Sequence, residues 1–368
     1  MEVKNKSVRL MIVGDVNLGD HPVCLGHGVK SMQLKFGPNF PFLKVKEVLS
    51  KADITMGNLE VVLSEKGIDY RFLNTVEFRS YPDAVKGLQY AGYDIVSVAT
   101  NHALNHGEEA FRESLGILSR NGIRYVGIKS VSGGCIPVEI EIEGIKIGFL
   151  AYSLRPEKYF KGLPCYADGK TEVICEDIKA LKQECSFIVV SLHWGDEFIQ
   201  RPSLWQIESA RALIHAGAGI IIGHHPHVLQ GMEQYERGFI AYSLGNFICD
   251  MWQEERRETV ILDLLIDSNS GIERVNTIPV KINDMLQPEI LGSEEAEKLI
   301  KKLKLFNSFI HSEDFARRSE KEEKYWKEVF KTVRKNRYQS YLYFLKNIFR
   351  YKPRFAYQNI MRSVLRRI

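Results

Sequence analysis

Two hydrophobic periods alternate along this chain. Runs with most positions apolar and several β-branched residues stand at Val8–Val13, Asp53–Leu59, Tyr93–Ala99, Phe187–Leu192, Gly219–Ile222 and Gly238–Ser243. Each reads as a buried strand. Between them, apolar residues recur every three or four positions in Phe40–Lys51, Pro82–Ala91, Glu108–Arg120, Glu172–Gln183 and Leu204–Ala216, which is the helical period. Proline opens the second of these helices and Asn121-Gly122 closes the third. One segment departs from this scheme. Val138–Ile142 alternates strictly, Glu143-Gly144 turns the chain and Ile145–Tyr152 returns, so a hairpin with one wet face is expected. Val260–Ile266 and Ile272–Ile282 add a β-rich end, while Arg155–Gly169 has no period and reads as a long loop. Strands alternating with helices, with some antiparallel strands mixed in, predict a layered α/β fold.

Composition changes this picture at one end only. Of 368 residues, 45% are hydrophobic and 26% charged, as in ordinary globular proteins. The net charge of +4 hides an asymmetry: from Val329 onward there are eleven Lys or Arg and no Asp or Glu, so the first 328 residues carry −7. Trp326, Val329, Phe330 and Val333 recur at helical spacing in that region, and residues 360–368 have the pattern of a final helix. Bases interleaved with aromatics suit an interfacial helix on anionic lipid, or a helical appendage packed on the core. Nucleic acid is disfavoured, because no reading motif accompanies the charge. The six cysteines form no C-x-x-C pair and read as thiols of a reducing compartment. The N-terminal apolar run is too short for a signal peptide. The expectation is a cytoplasmic chain, peripheral on the inner membrane face if the tail binds lipid, with a domain over 1–285 and a helical region over 286–368.

The candidate chemistry sits where the predicted strands stop. These ends carry Asp15, Glu60, Asn101-His102, His193 and His225-Pro226-His227, in the position where open α/β sheets place their sites. Each residue has a plainer reading: Asp15 a turn carboxylate, Asn101 a turn former, His193 a satisfied core histidine, the histidine stretch a surface turn. Five such ends together point to a site for divalent Mn, Fe or Zn, whose ligands are oxygen and imidazole. A two-metal hydrolase follows from that count. Trp194 and Glu197 are expected in the site wall, Asn246 beside a metal ligand, and Arg155 near an anionic substrate.

The ordered motifs Gly-Asp (14–15), Asn-Leu-Glu (58–60), Asn-His (101–102), His-Trp-Gly-x-Glu (193–197), Gly-x-His-Pro-His-Val-x-Gln (223–230) and Ser-Leu-Gly-Asn-Phe (243–247) resemble the CapA, or poly-γ-glutamate capsule biosynthesis, family. That family is similar to the calcineurin-like metallophosphoesterase superfamily. The resemblance implies a four-layer α/β/β/α sandwich and two metal ions. It gives Asp15 to the first metal, Glu60 to the bridging position, and Asn101, His193 and His225 to the second metal, with His227 returning to the first. His102 is placed beside the scissile bond, with Asn17, Asn58, Trp194, Glu197 and Asn246 around the ligands or the substrate. Four positions depart from the pattern. Asn17 stands where the superfamily usually has histidine, Ala103 where it has an acid, Thr100 where the family often has asparagine, and Asn105 where it often has aspartate. The implied function is hydrolysis in the synthesis of a cell-surface polymer, the substrate being an anionic polymer or a phosphorylated small molecule. The alternative is a non-catalytic factor that binds polymer or scaffolds an assembly complex.

Overall fold

The protein is described from a computed structural model that covers residues 6–156, 158, 160–267, 271–311 and 318–365. Residues 366–368 of the expected terminal helix, and 157 and 159 of the long loop, lie outside the described residues.

The chain opens with β1 (Ser7–Val16), and α1 (Val29–Phe36) and α2 (Lys46–Leu49) lead to β2 (Ile54–Leu59). A short parallel pair, β3 (Val62–Leu63) and β4 (Arg79–Ser80), precedes α3 (Val85–Ala91). Next come β5 (Ile95–Ser97), α4 (Gly107–Arg120), β6 (Arg124–Val126) and the antiparallel hairpin β7 (Val138–Ile142) and β8 (Ile145–Ser153). Then α5 (Thr171–Leu181), β9 (Phe187–His193), α6 (Leu204–Ala216) and β10 (Ile220–His224) continue the alternation. β11 (Met232–Tyr235), β12 (Gly238–Ala241), β13 (Asn246–Ile248), β14 (Glu258–Asp267), β15 (Gly271–Ile282) and β16 (Pro288–Ile290) follow. Three helices come last: α7 (Ser293–His311), α8 (Arg318–Lys346) and α9 (Pro353–Leu365).

Among the described residues the strands form two large sheets. One has the order β16-β15-β14-β1-β2-β5-β6, with β13 also on β1; the other runs β11-β12-β10-β9-β8-β7. β1, β2, β5 and β6 are parallel, as are β8, β9, β10 and β12. One continuous apolar core joins both sheets to the helices outside them, with α4 on one flank and α5 and α6 on the other. The architecture is the four-layer α/β/β/α sandwich. β9 is buried at every position because it is covered on both faces, and each such Val, Ile or Leu contributes about 1.5–3 kcal/mol over leaving it exposed. α6 starts at a capping box between Ser203 and Gln206 and stops at Gly217, at φ 120°, so its own sequence sets both ends.

The expected helix over Phe40–Lys51 is not continuous. A 3-10 turn spans Phe40–Phe42 and α2 covers only Lys46–Leu49, with Val45 N–H donating to the Phe42 carbonyl in between. Phe42, Val45 and Leu49 are nevertheless buried. The apolar stripe read in the sequence is real, but Pro41 inside the first turn removes a donor and tightens the backbone.

The crossover after β12 stitches the two sheets together. After β12 the chain crosses over and enters the other sheet as β13, pairing with β1 in the register Asp15 to Asn246. Asp15 N–H donates to the Gly245 carbonyl at 2.9 Å. Gly14 must lack a side chain there, because a Cβ would lie 2.1 Å from the Gly245 oxygen. Gly14→Ala is therefore expected to destabilise the protein by about 3 kcal/mol, the upper end for overpacking, as read by urea unfolding. A loss below about 1 kcal/mol would show that the crossover yields easily.

Candidate metal centre

The strand registers assemble the centre. Asp15 lies beside Asn58 through the β1–β2 pairing and beside Asn246 through β1–β13, while β9–β10 sets His193 beside His224. The Asp15 carboxylate is fully buried and is met from both sheets. Asn58 Nδ2 donates to Oδ1 at 2.8 Å and His225 N–H to Oδ2 at 3.1 Å. His224 Nδ1 and His227 Nδ1 stand 3.2 and 3.3 Å from its oxygens. Burial alone would raise the pKa of this carboxyl, but the adjacent His224 and His227 imidazoles hold it well below the usual range.

Glu60 follows β2 directly and is also buried. Its Oε1 lies 3.4 Å from His227 Nε2 and receives no hydrogen bond. Burial pushes the Glu60 carboxyl up, to about 8, with the Asp15 charge adding to the shift and His227 opposing it. On His227, burial works downward, yet Glu60 and Asp15 outweigh it and carry the imidazole up to about 10. Asn246 settles the tautomer. Its Nδ2 donates to the carbonyls of His227 and Arg256 at 3.1 and 3.0 Å, so its Oδ1 faces His227 Nδ1 at 2.9 Å. Nδ1 is thus the donor, and Nε2 is left on the Glu60 side. Asp15, Glu60 and His227 each offer one ligand atom, all within 4.8 Å of one another.

The other expected ligands form an adjoining group. His193 Nε2 and Asn101 Oδ1 are 2.7 Å apart, and the rings of His193 and His225 lie 4.8 Å apart. Burial holds His193 and His225 well below the ordinary histidine range, so both are neutral. Among the described residues neither ring nitrogen of His225 has a hydrogen-bond partner. A buried imidazole with both nitrogens unpaired is costly, and with an unpaired Glu60 oxygen nearby the donor set fits a cation held by oxygen and imidazole. The backbone supports this at some cost: His225 and His227 take φ of 91° and 57°, a region unfavourable for residues with a Cβ.

His102 lies on the loop after β5, its ring stacked 4.5 Å from Phe78. Burial lowers it to about 3, so it is neutral. Asn105 Nδ2 meets His102 Nδ1 at 2.9 Å. In this orientation the amide donates, which leaves the imidazole proton on Nε2. Asparagine in place of aspartate thus favours a neutral donor over an imidazolium.

Other residues singled out in the sequence are committed elsewhere. Asn17 Oδ1 accepts from Gly19 N–H at 2.9 Å, a local turn. Trp194 is buried against Tyr242 and donates Nε1–H to its carbonyl at 3.0 Å, so it packs the core instead of lining the site. Arg155 donates to the Gly195 carbonyl at 2.6 Å and lies 3.4 Å from Asp196, a loop brace. Glu197 is exposed, and its charge acts on Glu60 and His227. Asn58 bridges Asp15 and His193, standing 3.4 Å from the latter.

Two further neighbours complete the surroundings. His224, which in the sequence reads either as supporting a ligand or as packing, stands 3.2 Å from Asp15. Arg256 is buried with its guanidinium 3.4 Å from the Phe198 ring centre, and Phe198 lies 6.0 Å from the His227 ring. It stands in an ordinary run of charged residues, so only the fold reveals it.

The bacterial capsule synthesis protein model PGA_cap matches residues 9–251. Capsule biosynthesis protein CapA of Bacillus anthracis is 26% identical over 315 residues, 82% of this chain and 74% of that protein. PGA biosynthesis protein CapA of Bacillus subtilis (strain 168) is 27% identical over 293 residues, 78% of this chain and 75% of that protein. Among solved structures, a putative 5'-nucleotidase from Staphylococcus aureus superposes with a TM-score of 0.47 at 14% identity, over 81% of this chain and 58% of that one.

A cation entering this centre must displace the protons that Glu60 and His227 hold near neutral pH. Affinity for Mn²⁺ is therefore expected to rise between pH 6 and 8.5, roughly tenfold per unit for each proton released. Calorimetric titration in buffers of different ionisation enthalpy measures both quantities. An affinity flat across that range would contradict the assignment.

Proposed function

Because the chain belongs to the PGA_cap family of bacterial capsule synthesis proteins, we propose that it is a metal-dependent hydrolase of cell-surface polymer biosynthesis. Its substrate is a phosphoester, or an amide- or glycosidically linked polymer precursor. The observation that carries the reading is the buried Asp15–Glu60–His227 cluster beside His225, whose ring nitrogens are unpaired. Asp15, Glu60 and His227 would hold one divalent cation, and Asn101, His193 and His225 a second, of Mn, Fe or Zn. Such a pair, when bound, supplies Lewis acidity and activated water.

The chain's own groups do the rest. His102, neutral and protonated on Nε2, donates a hydrogen bond to the leaving-group oxygen and stabilises its developing charge, with its ring plane fixed by Phe78 and Asn105. Arg256 offers a cation to the anionic part of an anionic polymer or phosphorylated small molecule. Asn58 and Asn246 hold Asp15 and His227 in the orientations that a cation needs. The polymer assignment is supported by the names of the relatives in the two Bacillus species. One observation favours a non-catalytic polymer-binding role: Asn17, where the superfamily has histidine, is spent on a turn.

Purified protein supplied with Mn²⁺ is expected to hydrolyse an aryl phosphate. His225→Ala should lower kcat/KM at least a hundredfold, or about 2.7 kcal/mol, and so should a chelator. His102→Ala should lower kcat while metal content is retained, and Arg256→Gln should act mainly on KM. Turnover indifferent to both chelator and His225→Ala removes the hydrolase reading. A folded protein that binds no metal and turns nothing over favours the polymer-binding role.

A further inference from the structure

The basic end of the chain has two faces. Its inward residues on α8 are spaced by four and seven, which keeps them on one helix face. Tyr325 OH donates to Asp196 Oδ2 at 2.9 Å, Val329 is buried, Asn336 Oδ1 accepts from Arg256 at 2.8 Å and the Tyr343 ring stacks 3.8 Å from Trp252. α9 continues the contact, with Gln358 accepting from Leu73 N–H at 2.7 Å and Arg362 pairing with Glu77 at 2.7 Å. The arm thus lies along the loops that ring the metal centre.

The outward face has a different composition. Phe330 is 67% exposed, Tyr338 64%, Phe349 77% and Tyr357 63%. Lys331, Arg334 and Lys335 are exposed on the same turns as Phe330 and Tyr338. All eleven charged residues from Val329 onward are basic. Rings and bases sharing one helix face suit neither water nor a dry protein interface, since interface cores are depleted in charge. They suit the boundary of a bilayer, where aromatic rings sit at headgroup level and bases meet lipid phosphates. A second copy docked face to face would set these bases against its own.

We propose that the outward face of α8 from Phe330 onward, together with that of α9, is a docking surface for an anionic lipid bilayer. No helix of the described residues is long and apolar enough to cross a membrane; the attachment proposed here is peripheral, through this face. The bilayer then lies one helix thickness, about 10 Å, from the loops that ring the centre. Substrates tethered to the membrane are within reach of such a site.

Flotation of the full chain with phosphatidylcholine vesicles, with and without phosphatidylglycerol, tests this and needs no turnover, so it stands or falls apart from the hydrolase reading. Co-flotation is expected only with phosphatidylglycerol and is lost at high salt. Replacing Lys331, Arg334 and Lys335 together by Gln should lower partitioning about a hundredfold, with the melting temperature unchanged. If that variant fails to fold, salt release of the unaltered chain gives the same answer. Absence of co-flotation, equal binding to both vesicles, or partitioning unmoved by the substitution overturns the proposal. A dimer in sedimentation equilibrium that the same substitution dissolves overturns it too, assigning the face to a second copy.

Discussion

The centre and the sheet packing both depend on one buried carboxylate. Asp15 sits at the end of β1, yet the groups around it come from β2, from the end of β10 and from the stretch after it. An isolated charge in such surroundings would cost many kcal/mol. Four polar groups from two sheets keep it ionised, so the carboxylate that prepares the site for a cation also fixes how the sheets meet. Removing one member of such a buried set costs about 3–5 kcal/mol, because the remaining charge is left unsatisfied. Fold and site share this interaction, and neither can be varied without the other.

The same economy explains the strained backbone between β10 and β11. His225 and His227 occupy left-handed conformations and enclose Pro226, whose carbonyl accepts from Phe198 N–H at 2.7 Å. Phe198 is itself at φ 67°. Residues held this way cost about 1–3 kcal/mol each. What holds them is local: the His225 amide on Asp15, the His227 ring and carbonyl on Asn246, and the Phe198 amide on Pro226. The strain aims two imidazoles one residue apart at different places. His225 faces His193, and His227 faces Glu60. An extended strand would alternate its side chains between opposite faces.

Much of this was legible before the structure, for a physical reason. Strands buried on both faces need unbroken apolar runs, so β1, β9 and β10 announce themselves, and any polar residue ending such a run stands out. Asp15, Glu60, His193, His225 and His227 were found that way. What stayed hidden depends on distance across the fold. His224 reads either as supporting a ligand or as packing, and what separates the two is its contact with Asp15, which crosses from one sheet to the other. Arg256 sits among charged residues of no pattern, and Trp194, beside a ligand in sequence, turns into the core. In Phe40–Lys51 the apolar spacing survives while a proline divides the backbone, since periodicity reports which side is buried, not which hydrogen bonds form.

The C-terminal arm shows how far composition can be pressed. From Val329 onward it has eleven bases and no acid, set against −7 on the preceding residues; this would draw the two together at long range, but such attraction is screened beyond about 8 Å at physiological salt. Placement therefore has to come from specific contacts: Arg201 to Glu328 at 2.7 Å, Arg362 to Glu77, and the buried rings of Tyr325, Phe344 and Phe355. Several of these lie on loops that carry or brace the centre. Glu77 precedes Phe78, on which His102 stacks, and Asn336 holds the guanidinium beside Phe198. The arm is thus coupled to the two residues, His102 and Arg256, that face a substrate in the proposed reaction. A segment whose composition suits either a lipid surface or an appendage on the core is, through these contacts, packed against the loops around the candidate centre.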